Sequence, residues 1–138
     1  PKPEQMACAE YLADKEEIQS TIEHHNKMLA ERLEGLYRGF EIMKKSSLPI
    51  DVIAPEGALY LTVKVDVMGK TSEGGKALNN AEDIAYWLIE DAGVGLVPFY
   101  AFGAERDYPW FRLSVGTTRM EDLPKILGQL ESALKTLN

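Results

Sequence analysis

Arg112 is the residue best suited to chemistry in this chain of 138 residues. It stands between Phe111 and Leu113, inside a segment, Trp110 to Val115, whose alternation reads as a strand. A guanidinium at the centre of a strand must be paired or must face a cleft, because an unpaired buried charge is very costly. Its planar fork matches a carboxylate in a bidentate way. Two readings follow. Arg112 binds a ligand's carboxylate on the cleft side of a sheet, or it is held by a structural Asp or Glu. From spacing alone the second is favoured. The preceding loop, 99–109, carries Phe99, Tyr100, Phe102 and Tyr108. These rings form either a pocket wall beside Arg112 or a loop folded onto its own core.

The other reactive residue types offer less. His24 and His25 are adjacent, so on a helix they do not share a face, and they lack the spacing of a metal pair. They read as surface residues. Cys8 is the only cysteine, so no intrachain disulfide forms and no cysteine pair is available for zinc. No local feature activates its thiol, and it reads as a small, half-buried helix residue. The carboxylates are spread over capping positions and exposed faces, with no pair placed for acid–base work. Gly74-Gly75 lies in a polar stretch without a phosphate-loop pattern. No metal site and no catalytic side chain are expected in the chain.

The elements that must position Arg112 are legible in outline. Met6, Ala9, Leu12 and Ala13 recur at helical spacing, giving a first helix from Glu4 to about Ala13. Asp14 with Glu17 is a variant capping box that opens a second helix over 15–44. Its apolar stripe runs Ile18, Ile22, Leu29, Leu33, Leu36, Phe40 and Met43. At 1.5 Å per residue it is about 45 Å long and outreaches the core of a small domain, so one end packs on something else. Gly35 and Gly39 inside it cost helix stability, which points to close approach of another element. Ser46, Ser47 and Pro49 end it.

Strands are expected at Ile50–Ile53 and, after the Pro55-Glu56-Gly57 turn, at Ala58–Val67, where Leu59, Leu61, Val63, Val65 and Val67 alternate with polar residues. Residues 68–78 hold three glycines and read as a mobile loop. Asn80 caps a helix carrying Ile84, Trp87, Leu88 and Ala92, stopped by Gly93. A short strand, Val94–Val97, ends at Pro98. After the 110–115 strand, Thr118 with Glu121 opens a final helix, whose regular part begins at Pro124 after a single turn. This order describes an α+β fold: a small, mostly antiparallel or mixed sheet with helices packed on one face.

Composition excludes several function classes. Fifteen Lys+Arg against 22 Asp+Glu give a net charge of -7, which opposes binding to nucleic acid or to an anionic membrane surface. Apolar residues make up 45% of the chain and charged residues 27%, which is the composition of one globular domain. No apolar run nears the roughly 20 residues of a membrane span, and no signal peptide is expected. With a single cysteine, the expected location is the cytoplasm.

Three blocks bear a resemblance. Pro55-Glu56-Gly57-Ala58-Leu59-Tyr60 resembles the segment that opens the small-domain sheet of class I/II, fold-type I aminotransferases dependent on pyridoxal phosphate (PLP). Ala92 to Pro98, followed by Ala101-Phe102-Gly103, is similar to that family's strand and substrate-side loop. Phe111-Arg112-Leu113-Ser114 resembles its aromatic-Arg-aliphatic-Ser strand. The order and spacing of the blocks match, and the resemblance covers nearly the whole chain. Phe99 departs from the glycine common after the proline.

The resemblance implies the following. Residues 1–13 correspond to the tail of the large domain's last helix, and 14–138 to the C-terminal small domain. Arg112 corresponds to the arginine that binds the substrate's α-carboxylate. Phe99, Tyr100 and Phe102 fall on a substrate-side loop. The parent enzyme moves an amino group between an L-amino acid, possibly aspartate, and a 2-oxo acid, and is a homodimer. Its PLP lysine lies in the large domain, so this chain alone binds no cofactor and is inactive. A stand-alone amino-acid-binding or regulatory module is the alternative, and another fold-type I enzyme such as a lyase or decarboxylase is a third.

Overall fold

The computed structural model describes residues 1–138. Four helices and four strands follow the expected order: α1 (Lys2–Ala13), α2 (Lys15–Lys45), β1 (Ile50–Ile53), β2 (Tyr60–Val65), α3 (Ala81–Glu90), β3 (Val97–Pro98), β4 (Trp110–Ser114) and α4 (Leu123–Lys135). Short 3-10 turns at Phe99–Phe102 and Met120–Asp122 lead into β4 and α4 respectively. The sheet order is β1-β2-β4-β3, and every neighbouring pair is antiparallel.

The sheet is two-faced because its strands alternate. Leu61, Val63 and Val65 of β2 and Phe111 and Leu113 of β4 point inward and are buried. They join Leu33, Leu36, Phe40 and Met43 of α2, Ile84, Trp87 and Leu88 of α3, and Leu130 and Leu134 of α4 in one core. Tyr60, Thr62 and Lys64 of β2 and Trp110, Arg112 and Ser114 of β4 form the opposite, open face. An antiparallel sheet tolerates this, since one face can remain solvated.

Chain chemistry sets the helix boundaries. The Asp14 carboxylate accepts from the Glu17 amide at 3.0 Å and starts α2. Asn80 Oδ1 accepts from the Glu82 and Asp83 amides at 2.9 and 3.1 Å and starts α3. Pro124 falls in the first turn of α4, where its missing N–H costs nothing. All burial in α2 lies in its C-terminal half, and α1 buries no residue. The long helix does outreach the core. Cys8 is therefore exposed rather than half-buried, since nothing covers α1.

The glycines of α2 mark a helix crossing. A Cβ on Gly39 would lie 2.3 and 2.6 Å from the two Leu127 methyls, and one on Gly35 would lie 2.7 Å from a Leu123 methyl. The start of α4 thus rests on the backbone of α2.

Three expectations change in detail. The ladder of β2 begins at Tyr60 and ends at Val65 rather than running over 58–67. Beyond it the Asp66 amide turns to the Pro49 carbonyl at 2.9 Å. The ladder of β3 is only Val97 and Pro98, because the Val94 amide turns back to the Leu88 carbonyl at 2.9 Å and closes α3 instead. Residues 68–78 form a closed hairpin rather than an open loop. Gly69 donates to Leu78 and Leu78 to Lys70, and Thr71 exchanges two backbone bonds with Asn138.

Candidate functional site

The site is built on the open face of the sheet. Arg112 lies at the middle of β4, opposite Thr62 of β2 and Val97 of β3. Its neighbours Phe111 and Leu113 are buried in the core, so alternation sends the guanidinium to the open side. There it meets two rings. Its Cζ lies 4.3 Å from the centroid of Tyr60 and 4.4 Å from that of Phe102. Such contacts are favourable between a delocalised cation and the negative face of a ring.

No carboxylate answers Arg112. The nine ion pairs of the chain leave it out. The other four arginines all donate to an acceptor: Arg32 to the Gly116 carbonyl, Arg38 to Glu34, Arg106 to Glu82, and Arg119 to Asp122. None of the Arg112 nitrogens is sealed from solvent without a partner. Of the two sequence readings, an arginine held by a structural carboxylate of this chain is therefore ruled out. Two rings lie within cation–π distance of the guanidinium, and no carboxylate of the chain pairs with it.

The aromatic loop divides its residues. Phe102, at the end of the 3-10 turn, has the Arg112 guanidinium over its ring while remaining 53% exposed. Phe99 sits edge-on to Phe102 at 6.1 Å and to Tyr108 at 6.3 Å, and Tyr108 continues to Trp110 at 6.5 Å. Tyr100 takes the other option and packs against the core, with the Arg106 guanidinium 5.0 Å above its ring. Arg106 in turn pairs with Glu82, and its carbonyl accepts from the Ala81 amide at 2.9 Å, which ties the loop to the start of α3. Gly103, at φ +94°, lets the chain leave the 3-10 turn.

Tyr60 is the residue that sequence reasoning missed. It was visible as the last residue of the 55–60 block, but with no role. The pairing of Tyr60 with Ser114, two residues beyond Arg112, sets it diagonally across from the arginine on the same face. Beside it, Ile53, Pro55, Gly57 and Thr62 line a hollow of about 410 Å³. A larger depression, about 690 Å³, lies elsewhere, between α2 and residues 55–58, and does not include Arg112. His24 and His25 are exposed on α2, and no group of three or more His, Cys, Asp or Glu side chains is placed to hold a metal. No helix is long and apolar enough to cross a membrane.

The family model "Aminotransferase class I and II" matches residues 1–130. A probable aspartate/prephenate aminotransferase of Rickettsia bellii is 40% identical over 84 residues, covering 60% of this chain and 20% of its own length. An aspartate aminotransferase of Rhizobium meliloti is 33% identical over 114 residues, covering 80% of this chain and 27% of its own. The chain thus spans about a fifth to a quarter of the curated relatives it matches. Among solved structures, the aspartate aminotransferase from Rhizobium meliloti superposes with a TM-score of 0.70 at 29% identity, over 81% of this chain and 26% of that one. An aromatic aminotransferase from Pyrococcus horikoshii shares the fold, with a TM-score of 0.72 at 21% identity, over 95% of this chain and 31% of that one.

Proposed function

The chain belongs to the class I and II aminotransferases, and on that premise we propose that it is the carboxylate-binding part of one. Residues 14–138 act as the C-terminal small domain, and residues 1–13 as the tail of the large domain's last helix. The whole protein moves an amino group between an L-amino acid and a 2-oxo acid. We place it in the aspartate subgroup, because aspartate aminotransferases recur among its relatives. It works as a homodimer in the cytoplasm, and a chain with a single cysteine suits that reducing compartment.

The observation that carries this reading is the open edge of Arg112. Every other arginine of the chain already has an acceptor, whereas this one presents its fork to solvent. A planar carboxylate fits that edge with two parallel N–H···O bonds. Holding the carboxylate fixes the substrate's position and orientation, and orientation is a large share of catalysis in such reactions.

The residues present do not fit PLP as a bound group. PLP supplies an electron sink when bound and is carried on a lysine. The strands of the open face offer one lysine, Lys64, and its ammonium is already held by Asp66 at 2.6 Å. We therefore assign the cofactor's lysine and its phosphate and pyridine-nitrogen partners to the rest of the longer protein. On this reading residues 1–138 alone catalyse no transamination.

The test uses the full-length protein. Arg112→Ala should lower kcat/KM for transamination by about 10- to 150-fold, the range expected for losing hydrogen bonds to a charged group. Affinity for a non-reacting dicarboxylate such as succinate should fall in parallel. Unchanged affinity in Arg112→Ala would remove the arginine from the site.

A further inference from the structure

We propose that Tyr60 and Phe102 are positioning residues that hold the guanidinium plane of Arg112, and so set how tightly the site binds a carboxylate. This rests on the reading of Arg112 as the carboxylate ligand. The three sequence blocks that mark the family each deliver one member of this group. The first ends in Tyr60, the second contains Phe102, and the third contains Arg112.

The geometry follows from the sheet order. β4 lies between β2 and β3, so Tyr60 approaches from one flank and Phe102, just beyond β3, from the other. The ring centroids are 4.3 and 4.4 Å from Cζ, and no ring–ring contact joins Tyr60 to Phe102. The two rings thus flank Cζ from separate directions, and the proposed clamp has them covering the faces of the guanidinium while its edge stays free.

A free arginine side chain must give up rotamer freedom when it binds. Here that ordering precedes the ligand, since stacking already selects one plane. The rings also keep water from the faces, which strengthens bonds made at the edge. Phe102 is well supported for this task. Its turn is closed by the Gly103 and Ala104 amides bonding to Tyr100 and Phe99, and Tyr100 is anchored in the core.

The experiment compares ring-removing with ring-keeping variants in the full-length protein. Tyr60→Leu and Phe102→Leu should each weaken succinate binding and raise KM by about 3- to 30-fold, the span of cation–π contacts from exposed to desolvated sites. kcat should change by less than about twofold, because the lost interaction acts on binding of substrate and transition state alike. Tyr60→Phe and Phe102→Tyr keep the ring and should bind succinate as the parent does. Both side chains are partly exposed on the open face, so all four variants should fold.

If the leucine variants bind succinate normally while Arg112→Ala does not, the clamp is wrong and the arginine reading stands. If Arg112→Ala also binds normally, the arginine reading itself fails. If the ring-keeping variants are as weak as the leucine variants, the rings are not acting as stacking surfaces and the clamp is again overturned.

Discussion

Asp51 shows how a single side chain on the edge strand is tuned. Lys44 Nζ donates to its carboxylate at 2.6 Å and the Val52 amide donates at 2.8 Å. The bond from Lys44, then that from Val52, hold Asp51 below the usual carboxylate range, and the Asp51 bond holds Lys44 above the usual lysine value. A depressed carboxylate adds stability that is present above its unfolded value and lost as pH falls through its folded value. The stability difference between the parent and Asp51→Asn should therefore be constant near neutrality and shrink below about pH 4. It should be small throughout, because the pair is open to solvent. Urea midpoints at pH 7, 5 and 3 check this, and a difference that persists at pH 3 contradicts it. At the same scale, Arg112 was legible in the sequence as a cation needing an explanation, since a strand centre is a costly place for one. Its partner Tyr60 was not, because the partner depends on strand register, and register is set by long-range pairing that alternation alone leaves open. The aromatic loop was legible as a choice between pocket wall and core, and the structure divides it, with Tyr100 inward and Phe102 outward.

Among the elements, the crossing of α2 and α4 is the most exacting. Intrinsic helix preference favours Ala over Gly by roughly 1 kcal/mol. At position 39 the added Cβ would meet Leu127 at 2.3 and 2.6 Å, and overpacking of this kind costs about 1–3 kcal/mol. Gly39→Ala should thus destabilise the protein on balance, by about 1 kcal/mol, measured by denaturant unfolding. Adding Leu127→Ala should remove the clash, so the double variant should be more stable than the two single changes predict when summed. A simple gain in stability from Gly39→Ala would show that α4 does not press on this backbone. Glycine at helical spacing was enough to expect a close approach, and Asp14 and Asn80 were enough to place two helix starts. The extent of β3 and the hairpin at 68–78 were not legible. Both depend on where backbone amides turn after an element ends, the Val94 amide to Leu88 and the Thr71 backbone to Asn138.

For the whole molecule, the most informative feature is an asymmetry between covered and uncovered surface. Helices bury one face of the sheet, while the other presents Arg112 among Tyr60, Phe102, Tyr108 and Trp110. α1 and the first half of α2 also bury nothing, with Met6, Leu12 and Ile22 exposed. Apolar surface on this scale suits a chain that packs against further protein, and the chain spans only about a fifth to a quarter of its curated relatives. Fold class and family resemblance were legible because three short blocks stand in order and at matching spacing within this chain. The substrate's side chain was not, because on the proposed reading Arg112 contacts only the carboxylate. The most direct measurement is the structure of the full-length protein with succinate bound. The account predicts both oxygens of one carboxylate at about 2.7–2.9 Å from two nitrogens of Arg112, with the Tyr60 and Phe102 rings still stacked on its faces. Succinate bound elsewhere, with Arg112 paired to an Asp or Glu from the rest of the protein, would contradict it.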